Sequence, residues 1–192
     1  MKTSFLSKNE LRQVGFARYG RNVLISRKSS IYSPEKIEIG NNVRIDDFCI
    51  LSGRIIIGNY IHIAAYCGLF AGEKIAIKNY ANISSRVSIY AVSDDFLGRG
   101  MTNPMVPTKY RNVHNASVIL EEHAIIGAGS IILPGVTIGT GAAVGALSLV
   151  NSDCEAWTIY AGIPAHPKKE RRRDLILSYQ AVLEAELLGG KD

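Results

Sequence analysis

Tryptophan occurs once, methionine three times and proline six times in 192 residues, and the three cysteines form no Cys-x-x-Cys pair. An odd, scattered set of thiols (Cys49, Cys67 and Cys154) excludes a disulfide framework and a zinc knuckle. Long apolar runs are missing too, since none approaches the roughly 20 residues that a bilayer span needs. The stretch from Met1 to Gln13 interleaves Lys2, Lys8, Glu10 and Arg12, so it lacks the unbroken apolar core of a secretory signal. The expectation is a cytoplasmic protein with no membrane partner. Nor is there a basic face for nucleic acid: of the net charge of +5, most sits in one knot, Lys168, Lys169, Arg171, Arg172 and Arg173 with Glu170. A duplex reader spreads its cations over a face and interleaves aromatics; a single knot suits a compact phosphate or a solvated helix start.

What the chain does have is a period of six. From Leu120 onward every sixth residue is aliphatic: Ile126, Ile132, Ile138, Val144 and Val150. Four places after each comes a small or β-branched residue, namely Ala124, Ser130, Val136, Ala142, Ser148 and Cys154. A second comb runs through Ile39, Ile45, Leu51, Ile57, Ile63 and Leu69 and then shifts by two residues to Ile77, Ile83 and Ile89; Ile55 and Glu73 fit its fourth places less well. Helices repeat every 3.6 residues and strands every 2, so neither accounts for a hexad. Short strands alternating with corners do, if one aliphatic and one small side chain per face point inward and stack on the next coil. That is an all-β solenoid, in which each coil is stable only when another covers it. All three cysteines fall on the fourth place and read as core thiols. Glycine directly after the aliphatic position, as at Gly40, Gly58, Gly127, Gly139 and Gly145, is expected at corners whose backbone a Cβ would penalise.

The boundaries follow from the comb. Residues 1–20 form an N-terminal helical cap: Thr3 to Val14 reads as a helix beginning near Ser7, with Glu10 completing a capping box. Residues 21–167 form the solenoid, and 168–192 a C-terminal helix carrying Leu175, Ile176, Tyr179, Val182, Leu183 and Leu187 on one side. Between Tyr90 and Ile119 the hexad disappears. A break of thirty residues exceeds the ordinary loop length of about 12–15 and reads as a functional excursion building an acceptor pocket, with a disordered insertion as the alternative.

The run Ile126-Gly-Ala-Gly-Ser-Ile-Ile-Leu-Pro-Gly-Val-Thr-Ile-Gly139, followed by Tyr160-Ala-Gly-Ile-Pro-Ala165, resembles the bacterial hexapeptide-repeat acyltransferases over about residues 20 to 170. The resemblance implies a left-handed parallel β-helix; spacing alone permits either hand. In the maltose and galactoside O-acetyltransferase branch, a catalytic histidine follows an Ile-Tyr-x-x-Thr stretch at the start of the excursion. The corresponding stretch here is Ile89-Tyr90-Ala91-Val92-Ser93-Asp94, so the histidine is replaced by Asp94. A free aspartate, with pKa about 3.9 against about 6.5 for histidine, is the poorer base for a hydroxyl acceptor. A sugar amine in its neutral form already carries a lone pair and sheds its proton only after attack. Together with Arg44 to Ser52, Ser93-Asp94-Asp95 and Thr102 to Pro107, this makes the chain similar to the N-acyltransferases of nucleotide-linked 4-amino-4,6-dideoxy sugars, which serve bacterial surface polysaccharides such as O-antigen and lipopolysaccharide.

That resemblance implies acetyl-CoA as co-substrate, a nucleotide sugar as acceptor, no metal, and a homotrimer. Asp94 is the expected catalytic group, with Glu122 as a second carboxylate opposite it; the alternative for Glu121 and Glu122 is a solvated pair. Asp46, its neighbour Asp47, Tyr90 and Ser93 are expected to contact the sugar. Ala128, Ala146, Asn151, His166 and Lys169 are expected along the coenzyme, where small side chains let pantetheine approach the backbone and cations meet the phosphates. His114 and His123 read as surface residues. Three other readings stay open: O-acetylation of a galactoside or polysaccharide, a non-catalytic solenoid, and a zinc hydratase. The last needs three converging histidines, and His62, His114, His123 and His166 show no such spacing.

Overall fold

The structure, a computed structural model, describes residues 4–189. Thr3 lies outside the described residues. The chain is a left-handed parallel β-helix of about seven turns with, among the described residues, two α-helices, α1 (Lys8–Val14) and α2 (Asp174–Gly189). Each coil has three short strands joined by three corners. In one coil these are Ile37–Ile39, corner one (Gly40 to Asn42), Val43–Ile45, corner two (Asp46 to Phe48), and the strand Ile50–Ile57, which bends round corner three at Ser52 to Arg54. Parallel pairing sets each coil on the next: Val43 on Ile61, Ile45 on Ile63, Ile63 on Ile83, Ile126 on Val144.

A three-residue strand turns its first and third side chains inward and its middle one outward. Ile37, Ile45, Leu51, Ile55, Ile63, Leu69, Ile75, Ile83, Ile89, Val118, Leu120, Ala124, Ile126 and Ile132 are all fully excluded from solvent. Cys49, Cys67 and Cys154 are buried with them. Burial pushes the Cys154 thiol up to about 11, and the Cys67 thiol, raised by its neighbour Cys49 and by burial, is likewise no nucleophile. Ile55, which fits the comb poorly in sequence, is a regular inward residue. The two-residue shift of the comb is an insertion at corner three: Gly53 pairs with Ala71 but Ile55 pairs with Ile75. There Gly53 has φ +88°, and a Cβ on it would stand 2.1 Å from the Ala71 carbonyl oxygen.

The glycines after the aliphatic position have a different reason from the expected one. Gly40, Gly58, Gly127, Gly139 and Gly145 do not have positive φ. They are required by the approach of the next coil, since a Cβ on Gly127 would lie 2.4 Å from Ala146 N. At corners one and two the left-handed conformation belongs to the third corner residue, including Asn42, Phe48, Tyr60, Tyr66, Tyr80, Arg86, His123 and Leu147.

Helix α1 starts as the sequence indicates, with Ser7 as N-cap and a reciprocal capping box with Glu10. The solenoid begins earlier than residue 21, because Arg18–Tyr19 already pairs with Ile37–Ile39. At the other end the segment after residue 167 is not helical at once. His166–Glu170 is a strand antiparallel to Thr158–Ala161, so Lys168 and Lys169 extend from a sheet edge and not from a helix start. Helix α2 lies along corner one: Tyr80 Oη donates to Glu184 Oε1 at 3.1 Å, and His123 Nε2 is 2.6 Å from Gln180 Oε1. Arg171 donates to the His123 and Gly141 carbonyls, each at 2.9 Å. Leu175, Tyr179, Val182 and Leu187 are at least half exposed, because the apolar residues spread round the helix. His123, expected at the surface, is buried between Tyr80 and Trp157, with ring centroids at 5.0 and 6.2 Å.

Candidate active site

The excursion leaves corner three after Tyr90 and is ordered. Val92–Ser93 pairs antiparallel with His114–Asn115, which closes its base, and the chain re-enters the solenoid at Val118–Leu120 against Ile75–Ile77. The inserted glycine at corner three fits under this base: a Cβ on Gly72 would meet Asn115 Oδ1 and Val92 Cβ, both at 2.4 Å. Beyond the base, Asp95 organises the loop. Its side chain is 4% exposed; it accepts from Leu97 N at 3.2 Å, from Arg99 N, and faces Arg99 Nε at 3.7 Å. Burial works against ionisation, but the backbone donors of Arg99 and Leu97 and the Arg99 charge outweigh it and hold the carboxyl below its ordinary value.

A carboxyl lowered on folding stabilises the ordered loop fully above its unfolded pKa of about 3.9, and that contribution is lost as pH falls through the still lower folded value. Proteolysis within residues 94–113 is therefore expected to stay slow from pH 7 to about 4 and to accelerate below, in the folded solenoid. Asp95→Asn should accelerate it at neutral pH and flatten the dependence.

Tyr90, Val92, Ser93, Asp94 and Phe96, with Leu133 and Pro134 of the next coil, line a pocket of about 340 Å³. Asp94 is half-buried there; its Oδ2 accepts from Asn103 N at 3.1 Å, and Ser93 Oγ donates to the Asp94 carbonyl at 3.1 Å. Three of the sequence-derived site residues thus come together: Tyr90, Ser93 and Asp94.

The others lie on different corners. Glu122 is on corner one, where an amide ladder runs down the coils: Asn59 Oδ1 accepts from Asn41 N and Asn79 Oδ1 from Asn59 N, both at 2.8 Å, and Asn79 Nδ2 donates to Glu122 Oε1 at 3.3 Å. It therefore does not stand opposite Asp94 within one chain; a strand, a corner and another strand separate them. Asp46 and Asp47 are on corner two. Asp46 accepts from Arg44 Nε at 2.7 Å and meets His62 Nε2 at 2.8 Å; burial opposes ionisation, yet these partners hold its carboxyl below the ordinary range. Asp47 accepts from Ser26 Oγ at 2.5 Å and Lys28 Nζ at 3.0 Å, which lower it in the same way.

Ala128 and Ala146 also lie on corner two, one coil apart, with Leu147 N donating to the Ala128 carbonyl. Both are exposed on a narrow edge flanked by Gly127, Gly129 and Gly145. His166 pairs with Ala161, next to Gly145 at the end of the same edge, and Lys169 with Ile159. Asn151 stands apart on corner three. Ser84, on corner two one coil from Gly127 and Ala128, was not singled out in the sequence because a small residue there looks like any other hexad filler. Among the described residues no group of three or more His, Cys, Asp or Glu is placed to hold a metal, and no helix is long and apolar enough to cross a membrane.

No protein-family model matches the chain. Individual proteins do. It is 48% identical over 189 residues, 97% of this chain and 98% of the relative, to dTDP-4-amino-4,6-dideoxy-D-glucose acyltransferase from Escherichia coli. It is 27% identical, over 79% of this chain and 86% of the relative, to WbbJ, a lipopolysaccharide biosynthesis O-acetyltransferase of E. coli K12 named as putative. The N-acyltransferase AntD from Bacillus cereus superposes with a TM-score of 0.92 at 50% identity, over 96% of this chain and 100% of AntD. Its crystal structures include an S84C variant with dTDP-4-amino-4,6-dideoxyglucose and coenzyme A, a D94N variant with dTDP and coenzyme A, and a complex with dTDP and 3-hydroxybutyryl-CoA. The chain belongs to the hexapeptide-repeat acyltransferases, in the group of the dTDP-4-amino-4,6-dideoxyglucose acyltransferases, and is an enzyme that transfers an acyl group.

Proposed function

We propose that the enzyme transfers an acetyl group from acetyl-CoA to the amine of a dTDP-linked 4-amino-4,6-dideoxyhexose in the cytoplasm, for a surface polysaccharide. One observation carries the reading: Asp94, where O-acetylating relatives place histidine, sits half-buried in a pocket formed by an ordered excursion. Serine and aspartate at 84 and 94 are also the residue types and numbers at which AntD has been varied.

In this mechanism the neutral amine nitrogen attacks the thioester carbonyl carbon and forms a tetrahedral intermediate. The ammonium proton passes to the Asp94 carboxylate, the C–S bond breaks, and coenzyme A leaves as the thiolate, which takes up a proton. Tyr90 and Ser93 border the sugar, Ala128, Ala146, His166 and Lys169 border the coenzyme, and Asn151, on corner three, meets it only across a boundary between chains. Asp46, Asp47 and Ser84 on corner two come opposite the Asp94 pocket on corner three only across a boundary between chains, which suits a homotrimer. Glu122 has no role in this arrangement.

The test is thiol release with acetyl-CoA and either dTDP-4-amino-4,6-dideoxyglucose or its 4-hydroxy counterpart, with 3-hydroxybutyryl-CoA as an alternative donor. Amide formation with the amine and no turnover of the hydroxyl compound is expected. Esterification of the hydroxyl sugar at a comparable kcat/KM would overturn the reading in favour of an O-acetyltransferase, and a preference for the larger donor would correct the acyl group alone.

A further inference from the structure

The third residues of corner one stand one above another along the solenoid: Asn22, Asn42, Tyr60, Tyr80, His123, Gly141 and Trp157, in the order set by the register of the strands that follow them. From Trp157 to Tyr60 this column is made of rings. Trp157 covers Gly141, His123 lies 6.2 Å from Trp157, Tyr80 stacks on His123 at 5.0 Å, and Tyr60 stacks on Tyr80 at 5.3 Å. At Tyr60 the rings stop. The next two levels carry only Asn42 and Asn22, whose side chains bond to each other at 2.8 Å, so one face of the Tyr60 ring has no ring against it.

A cavity of about 630 Å³ opens at this end of the column, between the corner and the last turns of α2. Its floor is the amide ladder. Asn59 Oδ1 accepts from both Asn41 N and Asn41 Nδ2, and Asn79 Oδ1 from both Asn59 N and Asn59 Nδ2, at 2.8 to 3.2 Å. Those carbonyl oxygens are saturated, while each amide nitrogen keeps one N–H to give. Among the described residues the Arg21 guanidinium and Tyr60 Oη, which also line the cavity, have no hydrogen bond or ion pair. On the α2 side Glu184 Oε1 accepts from Tyr80 Oη and from Gln180 Nε2, which leaves Oε2 as a further acceptor.

We infer that this cavity is a second binding site, for a hexopyranose unit of a neutral glycan, whose ring stacks on the open face of Tyr60 and takes the place of the next ring in the column. Three features select that class. A pyranose has a flat C–H face to lay against the negative π-face of an aromatic ring. Its hydroxyls both donate and accept, and the cavity offers spare amide and guanidinium donors together with Glu184 Oε2 and Tyr60 Oη as acceptors. The lining holds one guanidinium, Arg21, and one carboxylate, Glu184; that balance suits a neutral sugar, whereas a nucleotide would bring its phosphate up to a like charge. The site stands on a different corner from the Asp94 pocket and from the Ala128 and Ala146 edge, so the inference does not depend on the amine-acylation reading, and an occupied cavity leaves the reaction centre open.

The test titrates glucose, galactose, maltotriose and AMP into the full-length enzyme, followed by calorimetry and saturation-transfer NMR. At least one of the neutral sugars is expected to bind with a Kd of about 1 mM or tighter. Two variants locate it. Tyr60→Asn removes the ring and puts asparagine at a φ of +58°, where the corner already holds Asn42 at +56°. Asn42→Tyr supplies the missing ring and fills the cavity with Tyr60 still in place. Each is expected to weaken sugar binding about tenfold or more and to leave kcat and KM for acylation of the amino sugar within about twofold. Asn42→Tyr should melt no lower than the wild type, so misfolding does not account for its loss. Absence of binding by all three sugars, or sugar binding that Asn42→Tyr leaves unchanged, overturns the site. Binding of AMP that Asn42→Tyr abolishes overturns the sugar assignment in favour of a nucleotide. An enzyme that fails to acylate the amine still gives these binding readouts, so the two readings fail separately.

Discussion

Asp94→Asn is expected to lower kcat for amine acylation by about 10²-fold or more, within the 10²–10⁴ range that a positioned proton acceptor contributes, and to leave KM for acyl-CoA within about twofold. The substitution is chosen for what it preserves. Asparagine keeps a carbonyl oxygen to accept from Asn103 N, the contact that holds residue 94 in place at 3.1 Å, so the excursion keeps its shape and the pocket its lining. What is lost is the negative charge that takes the proton from the tetrahedral intermediate. Asp94→Ala removes the anchor as well and should fall at least as far, with some rise in KM for the acceptor. Steady-state kinetics on both variants checks this. Turnover of Asp94→Asn within threefold of wild type would mean that water or the leaving thiolate takes the proton and that Asp94 only orients the amine. Asp95→Asn acts through the loop and separates the two roles, since its effect is expected to appear in acceptor KM more than in kcat.

The repeat was legible in the sequence because it is written by residues that must be excluded from water. The comb through Ile126, Ile132, Ile138, Val144 and Val150 is the inward row itself, and the loss of the comb after Ile89 marks where the chain leaves the coil for the excursion. Which corner each polar residue occupies was harder to read. Corner-one residues lie 18 positions apart from Asn41 to Asn59, 20 from Asn59 to Asn79 and 43 from Asn79 to Glu122. The insertion and the excursion break the count along the chain, so Asp47 and Glu122, each two places after an inward aliphatic residue, stand on corner two and corner one. The placement of α2 was hidden for another reason. Its hydrogen bonds to corner one run through Gln180 and Glu184, and Ile176 and Leu183 are partly exposed while Leu175, Tyr179 and Val182 are exposed, so no apolar stripe announces its docked side. The stacked aromatics Phe48, Tyr60, Tyr66 and Tyr80 of corners one and two were obscured because their left-handed backbone runs against local preference and is imposed by the coil.

The consecutive residues Ile55, Ile56 and Ile57 isolate the physics that makes this coil. Their side chains are chemically identical and differ only in direction: Ile55 and Ile57 are 0% and 2% exposed, whereas Ile56 is the outward residue of the strand and partly exposed. Ile55→Ala opens a cavity in a stack whose neighbours, Ile37 above and Ile75 below, are themselves fixed by their own coils and cannot close in. The expected cost is about 2–5 kcal/mol. Ile56→Ala removes side-chain atoms from a surface strand and is expected to cost about 1 kcal/mol or less. In a solenoid each coil contacts only its neighbours, so a weakened coil also uncouples the turns on either side. Denaturant unfolding of Ile55→Ala should therefore show a lower midpoint together with a broader transition, where Ile56→Ala keeps the wild-type slope. Equal midpoints for the two variants would mean that inward burial is not what selects the hexad, and the stacking of aliphatic rows would lose its place as the source of the fold.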